Sequence, residues 1–111
     1  MEGPGQSLDT LFGALADPTR RLILDELRKR DGQSLFELCG RIVSFYDISL
    51  SRQAISKHLA VLEDTGLIAC TRQGRTKQHS LIRPEALQYA ERWIAAHRSE
   101  LTNGSGKGET I

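Results

Sequence analysis

The segment SRQAISKHLAVLEDTGL, residues 51–67, constrains the fold of this chain more than any other stretch. Its apolar residues recur at the spacing of an α-helix, so one face is apolar and the opposite face is not. The apolar face consists of Ile55, Leu59 and Leu62, and the opposite face of Gln53, Lys57 and Ala60. The segment therefore predicts a helix that packs on a core with one side and leaves the other side available to a partner.

Both ends of this helix carry boundary signals. Ser51 is suited to the N-cap because its hydroxyl can accept a hydrogen bond from an amide of the first turn. Gly66 suits the left-handed conformation that ends many helices. The exposed first turn holds side chains of the kind that read base edges or bind phosphates in a major groove. These are Ser51, Arg52, Gln53, Ser56 and Lys57.

The positive charge of the chain is concentrated around this helix. The net charge of all 111 residues is only +1. Residues 51–83 contain six basic and two acidic side chains, a net charge of +4, whereas residues 1–50 have six and eight, and residues 84–111 have three and four. Such a local patch attracts a polyanion and makes binding depend on salt. Alone it would equally describe a solvated surface, so it indicates nucleic acid only together with the helix.

Length and composition are those of one ordinary globular domain. The chain is 39% hydrophobic and 26% charged, which is typical of proteins that fold in water. No apolar run is long enough for a signal peptide or a membrane span, so we expect a cytoplasmic protein without a membrane partner. Cys39 and Cys70 are too few for a disulfide scaffold and lack zinc-finger spacing. We expect both to be plain buried thiols.

Two helices are predicted at the start of the chain. Residues 1–6 form a flexible N-terminus, and the first helix spans residues 7–16. Asp17 and Pro18 begin the second helix, because aspartate is a good N-cap and proline in the first turn sacrifices no hydrogen bond. Gly32 ends that helix.

A capping box begins the third helix. Ser34 is followed three residues later by Glu37, so each side chain can bind the other's amide. The helix continues to Ile42 or Val43, and residues 44–50 are predicted as a connection to the helix at Ser51. A helix, a connection and a second amphipathic helix make a helix-turn-helix candidate.

A β-hairpin is predicted after Gly66. The residues on both sides of Gly74-Arg75-Thr76 alternate in the two-residue rhythm of strands. The basic side chains Arg72, Arg75 and Lys77 would give its tip a phosphate-facing edge.

The last helix begins at Pro84 and continues to about Leu101, with residues 102–111 as a disordered tail. Its apolar band is wider than contact with a single core requires. A second copy of the same helix is the economical partner, because most homo-oligomers are two-fold dimers. The band consists of Ala86, Leu87, Tyr89, Ala90, Trp93, Ile94 and Leu101.

Three helices, a reading helix, a basic hairpin and a final helix are the element order of a winged helix-turn-helix. The predicted fold is mainly α with a small β-hairpin, about five helices plus a two-stranded wing, within residues 7–101. Over residues 8–101 the chain resembles the ArsR family of bacterial transcriptional repressors. The resemblance rests on LFGALADPTRRLILDEL, SRQAISKHLAVLEDTGLI and TRQGRTKQHSLIRP.

The resemblance implies a homodimer, built from the first and last helices, that places two reading helices in successive major grooves of a near-palindromic operator. The reading surface carried over from the family is Ser51, Arg52, Gln53, Ser56, Lys57 and His58. The wing contributes Gly74, Arg75 and Lys77, beside Arg72. The predicted dimer interface is Leu8, Leu11, Phe12, Tyr89, Trp93 and Ile94. The implied partners are double-stranded DNA and a second copy of the chain, and an unidentified small-molecule inducer is a further candidate.

The metal ligands of many relatives are missing. Where those relatives have a Cys-x-Cys, this chain has Cys39 with Arg41 two positions on, which is a poor site for a thiophilic ion. His97 and Glu100 match one half of a zinc site on the last helix, but the other half is absent at residues 83–86. We therefore predict no metal and no cofactor, with a metal- or thiol-responsive repressor as the alternative.

Other functions remain as alternatives. The chain has no nucleophile and base at a motif spacing, no phosphate loop and no paired carboxylates in an apolar setting, so we predict no enzymatic activity. A Cys-His nucleophile and a winged helix that binds only protein are the rivals. His58 is as compatible with packing or phosphate binding as with base reading, and we expect His79 at the surface and Cys39 in the core. Tyr89 and Trp93 could line a small-molecule pocket, although dimer packing explains them without one.

Overall fold

The computed structural model describes residues 4–47 and 49–106, and the side chains of residues 8–47 and 49–98. Within this part of the chain, five helices and one antiparallel hairpin follow one another. They are α1 (Pro4–Leu15), α2 (Pro18–Lys29), α3 (Leu35–Tyr46), α4 (Arg52–Asp64), β1 (Ile68–Gln73), β2 (Thr76–Leu81) and α5 (Glu85–Gly106). The predicted winged helix-turn-helix, mainly α with a two-stranded wing, is confirmed.

The starts of α2, α3 and α4 lie where their capping residues predict them. Asp17 accepts a hydrogen bond from a first-turn amide of α2 at 3.0 Å. Ser34 and Glu37 form the complete capping box, with distances of 2.9 and 3.1 Å between amide nitrogens and side-chain oxygens. The Ser51 hydroxyl accepts from the Ala54 amide at 3.0 Å. Local hydrogen bonds therefore determine these three boundaries.

The outer helices are longer than predicted. α1 begins at Pro4 rather than at residue 7, which is possible because a proline in the first turn needs no amide donor. α5 continues to Gly106 rather than to Leu101, since each residue added to a formed helix contributes a further hydrogen bond. Residues 1–3 and 107–111 of the predicted flexible termini lie outside the described residues.

The end of α3 also differs from the prediction. The helix continues to Tyr46, so Ser44 belongs to it and not to the connection. The Tyr46 hydroxyl donates to Glu26 Oε2 at 2.6 Å and accepts from Lys29 Nζ at 3.0 Å, which ties the last turn of α3 to α2. Asp47 then leaves the helix in the left-handed conformation, with φ of 53°. The connection to α4 is consequently shorter than the predicted residues 44–50.

The core lies between the first four helices, the base of the wing and the start of α5. The predicted apolar stripe of α4 is confirmed, with Ile55, Leu59 and Leu62 at most 5% exposed. Full burial of each such side chain contributes about 1.5–3 kcal/mol. The remaining core residues are Leu11, Ala14, Ile23, Leu27, Leu38, Ile42, Leu67, Ile68, Ala86 and Ala90. This packing determines which face of α4 is buried.

The wing is a hairpin with a two-residue loop. Gln73 pairs with Thr76, so Gly74 and Arg75 form the turn, and Thr76 begins β2 instead of completing a three-residue centre. Gly74 has φ of 64°, a conformation that glycine adopts without strain.

His79 is buried, and the prediction that it lies at the surface is wrong. Its backbone forms an isolated β-bridge with Gln33, with hydrogen bonds of 2.7 and 3.0 Å, so the chain before α3 pairs with the edge of β2 that β1 leaves open. The imidazole Nδ1 lies 3.0 Å from the Gln33 carbonyl oxygen, which can only accept, so this nitrogen donates. The sequence did not predict this bridge, because Gln33 lies outside the predicted strands.

Glu26 is a buried charge that the sequence analysis did not identify. It is 0% exposed, and its carboxylate accepts hydrogen bonds from Arg41 and Tyr46 and pairs with Lys29. Burial raises the pKa of Glu26, but the hydrogen bonds from Tyr46 and Arg41 and the charges of Arg41 and Lys29 outweigh it, and the pKa lies below its ordinary value. The carboxylate joins α2 to α3. Its position between Ile23 and Leu27 on one helical face was the signal available in the sequence.

Candidate nucleic-acid interface

The exposed side of α4 carries the predicted reading residues. Ser51, Arg52, Gln53, Ser56 and Lys57 are all exposed, while the apolar stripe of the same helix faces the core. Because the stripe fixes the helix on one side, these side chains project from the surface of the domain. The first turn of α4 is therefore free to enter a groove of suitable width.

A cleft of about 470 Å³ separates α4 from the wing and the start of α3. Arg52 and Ser56 line it from α4, and Arg75 and Lys77 line it from the wing. Glu63 is the acidic residue on the same wall. The fold thus brings members of the predicted reading surface and of the predicted wing, at least 19 residues apart in the sequence, to one cleft.

Five cations of α4 and the wing have no hydrogen-bond or ion-pair partner within the described residues. Each is exposed, and none donates a side-chain hydrogen bond or forms an ion pair there. They are Arg52, Lys57, Arg72, Arg75 and Lys77. Unpaired guanidinium and ammonium groups on one exposed surface present a positive field to solvent and to a phosphate backbone. We call these five residues the unpaired cations below.

Two of the unpaired cations repel each other across the wing. Arg72 and Lys77 are direct partners in the hairpin register. Like charges opposite each other in an antiparallel pair are destabilising, on the order of a few tenths of a kcal/mol. A bound anion would relieve this repulsion.

His58 lies on the side of α4 that faces α2. Its side chain is 23% exposed, and Nδ1 lies 3.4 Å from Arg20 Nη1 and 3.8 Å from Asp17 Oδ2. Of the roles considered for His58, this geometry favours packing within the protein.

The cysteines are both free thiols and only partly buried. Burial raises the pKa of the Cys39 thiol, and the charge of Arg52 offsets only part of that effect. A raised pKa disfavours the thiolate, which is the form that binds metals and reacts. Cys39 packs against the core as predicted, whereas Cys70 lies on the wall of the cleft, opposite His79 in the wing.

Residues 8–47 and 49–98 contain no group of three or more His, Cys, Asp or Glu side chains placed to hold a metal. His97 stacks on Trp93 with ring centroids 4.1 Å apart, and its Nδ1 lies 2.8 Å from the Trp93 carbonyl oxygen. The side chain of Glu100 lies outside the described residues. No helix in the described part of the chain has the length and apolar character to cross a membrane.

An exposed apolar surface lies where α1 packs on α5. Trp93 is 53% and Ile94 52% exposed, and Phe12 makes an edge-to-face contact with Trp93 at 6.0 Å. A groove of about 370 Å³ beside them is lined by Phe12, Leu15, Leu87, Ala90 and Ile94, among others. Three predicted interface residues, Phe12, Trp93 and Ile94, are thus brought together.

The other predicted interface residues have different places. Leu11 is 1% exposed and belongs to the core, because it faces the other helices of its own domain, and it has no surface left for a partner. Leu8 is partly buried against that core. Tyr89 is half-buried, and its hydroxyl donates to Glu85 at 3.4 Å.

Comparison with known proteins places these features in a family. Residues 15–71, from the end of α1 into β1, match the helix-turn-helix domain family. The uncharacterised HTH-type transcriptional regulator YuzN of Bacillus subtilis (strain 168) is 55% identical over 67 residues, which are 60% of this chain and 73% of YuzN. The transcriptional repressor SdpR of the same organism is 33% identical over 87 residues, 78% of this chain and 88% of SdpR.

Solved structures agree with the sequence relatives. An ArsR-like transcriptional regulator from Rhodococcus sp. RHA1 superposes with a TM-score of 0.66 at 30% identity, covering 96% of both chains. These relatives and neighbours are transcriptional regulators, a non-enzymatic class of protein. The matched helix-turn-helix, the wing and the shared fold show that this chain belongs to the ArsR family of winged helix-turn-helix transcriptional regulators.

Proposed function

We propose that this protein is a homodimeric, sequence-specific DNA-binding repressor that occludes a promoter by binding a near-palindromic operator. The observation that carries the proposal is the set of unpaired cations on α4 and the wing. A folded protein that leaves five cations unpaired beside an exposed helix presents the surface that duplex DNA binds. As a regulator of transcription, it would act in the cytoplasm.

In the proposed complex, the first turn of α4 lies in the major groove. Gln53 points outward from the centre of that turn and can form two hydrogen bonds with an adenine. Lys57, one turn later, and Arg52, at the edge of the cleft, are placed to bind phosphates on either side. The wing lies along the neighbouring DNA backbone, and its side chains bind the phosphates there. These side chains are Arg72, Arg75 and Lys77. Phosphate binding thus positions the protein, and Gln53 contributes specificity.

A second copy of the chain is the proposed partner at the α1–α5 surface. Three large apolar side chains, Phe12, Trp93 and Ile94, are exposed together there. A contiguous exposed apolar patch is typical of a protein–protein interface. A two-fold dimer buries the same patch on both copies and presents two reading helices to successive major grooves. The similarity to SdpR, which is a repressor, supports repression as the outcome.

The dimer is tested by Trp93→Glu. Because Trp93 is half exposed in the protomer, the variant is expected to fold, but the proposed interface would bury its charge. Sedimentation at micromolar concentration should show monomers. Ile82→Glu is the matched control, since Ile82 is 39% exposed and lies outside the α1–α5 surface. If Trp93→Glu sediments as wild type does, the last helix is not in the interface.

The function is tested by selecting genomic fragments that bind the protein and footprinting the best of them. A dimer with two reading helices should protect two half-sites whose centres are about 34–36 Å, one helical turn, apart. Failure to bind any duplex at low salt would overturn the proposal and favour a winged helix used for protein binding.

A further inference from the structure

Arg20 joins the end of α1 to the reading helix. Its Nε donates to the Ala14 carbonyl at 2.9 Å and its Nη2 donates to the Gly13 carbonyl at 3.2 Å. Both carbonyls belong to the last turn of α1, where the amide partners of the helix interior are lacking, and the Gly13 carbonyl also accepts from the Ala16 amide at 3.3 Å. The remaining terminal nitrogen, Nη1, lies 3.4 Å from His58 Nδ1 on α4. One side chain therefore spans two helices that are distant in the sequence.

The chemistry of the contact defines the role of His58. A guanidinium group has donors only, so a hydrogen bond between Arg20 and His58 requires that Nδ1 accept and that the ring proton be on Nε2. Asp17 Oδ2 lies 3.8 Å from the same ring nitrogen. The amide of Arg20 holds the pKa of the Asp17 carboxyl below its ordinary value, although burial opposes this, so the carboxylate remains charged beside Arg20. Asp17, Arg20 and His58 form one connected polar cluster.

The apolar stripe alone leaves α4 incompletely restrained. Apolar contacts are non-directional, so a core of aliphatic side chains permits small rolls and shifts of a helix. Hydrogen bonds are directional, and the His58 contact lies on the side of α4 that faces α2, away from the cleft and the wing. It therefore restrains the helix where the wing does not.

We propose that Arg20 is a positioning residue for DNA recognition, because it fixes α4, through His58, against the last turn of α1. The inference rests on the proposed function. α1 also carries Phe12 of the proposed dimer surface, so the same cluster sets the placement of the two reading helices relative to each other. Its loss should affect a specific operator more than random DNA, since phosphate binding tolerates small displacements that base reading does not.

Arg21 supplies a matched control. Its Nη1 donates to the Leu15 carbonyl at 2.6 Å, so it also binds the end of α1 from the first turns of α2, but it forms no hydrogen bond or ion pair with the described residues of α4. Arg20→Ala and Arg21→Ala each remove one positive charge and at least one hydrogen bond to α1. Only the first removes the contact with His58.

The test measures the affinities of each variant for the footprinted operator and for a scrambled duplex, together with its thermal midpoint and dimerisation. The ratio of the two affinities should fall about tenfold in Arg20→Ala and remain unchanged in Arg21→Ala. His58→Ala should lower it as much as Arg20→Ala, and the double variant no further, because the two residues form one contact. His58→Asn should restore the ratio, since the amide oxygen can accept where Nδ1 does.

Each outcome decides the inference. Equal ratios in Arg20→Ala and Arg21→Ala would overturn it, and so would additive effects of Arg20→Ala and His58→Ala, which would mark His58 as an independent base reader. If Arg20→Ala does not fold, His58→Ala and its rescue by His58→Asn carry the same decision. If the wild-type protein binds the operator but the variants do not differ as expected, only the inference about Arg20 is overturned and the proposed function stands. If the wild-type protein binds no duplex, the proposed function and the inference are both overturned.

Discussion

Two regions of the molecule carry basic side chains that differ in what they bind. The first region is α2 with α3, and the second is α4 with the wing. In the first region, guanidinium and ammonium groups bind helix ends and carboxylates of the protein itself. They include Arg20, Arg21, Lys29, Arg30 and Arg41. In the second region, the unpaired cations have no such partner among the described residues. The first set stabilises the fold, and the second is available to an external anion. Net charge alone does not distinguish the two sets.

The largest effect on stability is expected in the first region. Glu26→Ala removes the buried carboxylate that Arg41 and Tyr46 bind and should lower the free energy of unfolding by about 1.5–3 kcal/mol, because hydrogen bonds to a charged group are lost. Urea titration measures the change. Asp25→Ala, next to it but exposed, should change stability by less than about 0.5 kcal/mol. Equal losses in the two variants would contradict the role assigned to Glu26.

In the second region, the effect should appear in binding and not in stability. Lys57→Ala combined with Arg75→Ala removes two unpaired cations and should weaken binding to every duplex, on the order of 100-fold at low salt, with an unchanged thermal midpoint. Adding Gln53→Ala should also relax the preference for particular bases. Arg28→Ala, an exposed cation outside this surface, is the control. Wild-type affinity in the triple variant would contradict the assigned interface.

Acid should weaken the first region. Since the pKa of Glu26 is lower in the folded than in the unfolded protein, its contribution to stability is present above the ordinary pKa of 4.5 and is lost as the pH falls through the lowered value. The free energy of unfolding of the wild type should therefore decrease as the pH falls below about 4.5. Glu26→Gln should show a smaller decrease over the same range. Parallel pH profiles would contradict this origin.

The smallest effect concerns the wing. Lys77→Thr removes the repulsion with Arg72 and should stabilise the protein by about 0.2–1 kcal/mol while it weakens DNA binding. Calorimetry and a binding titration measure the two changes. A variant with lower stability and lower affinity would show that Lys77 supports the fold, which would remove it from the second region.

Features fixed by near neighbours in the sequence were predictable, and features fixed by distant contacts were not. The caps at Asp17, Ser34 and Ser51 each depend on an amide three residues away, and their helices begin as predicted. The burial of His79 depends on Gln33, 46 residues away, and the length of α3 depends on contacts of Tyr46 with α2.

The candidate site divides in the same way. The exposure of Gln53 and Lys57 follows from the apolar period of α4 and was predictable. The contact of His58 with Arg20, 38 residues away, was not, because periodicity shows that a residue borders the core but not what it meets there.

The central claim is that the unpaired cations bind DNA phosphates, and the salt dependence of binding tests it most directly. The logarithm of the binding constant for one operator duplex is measured against the logarithm of the salt concentration for the wild type and for Lys57→Ala with Arg75→Ala. Each lost phosphate contact should reduce the slope by about 0.9, so the double variant should lose about 1.8 for each protomer. Equal slopes for the two proteins would contradict the claim.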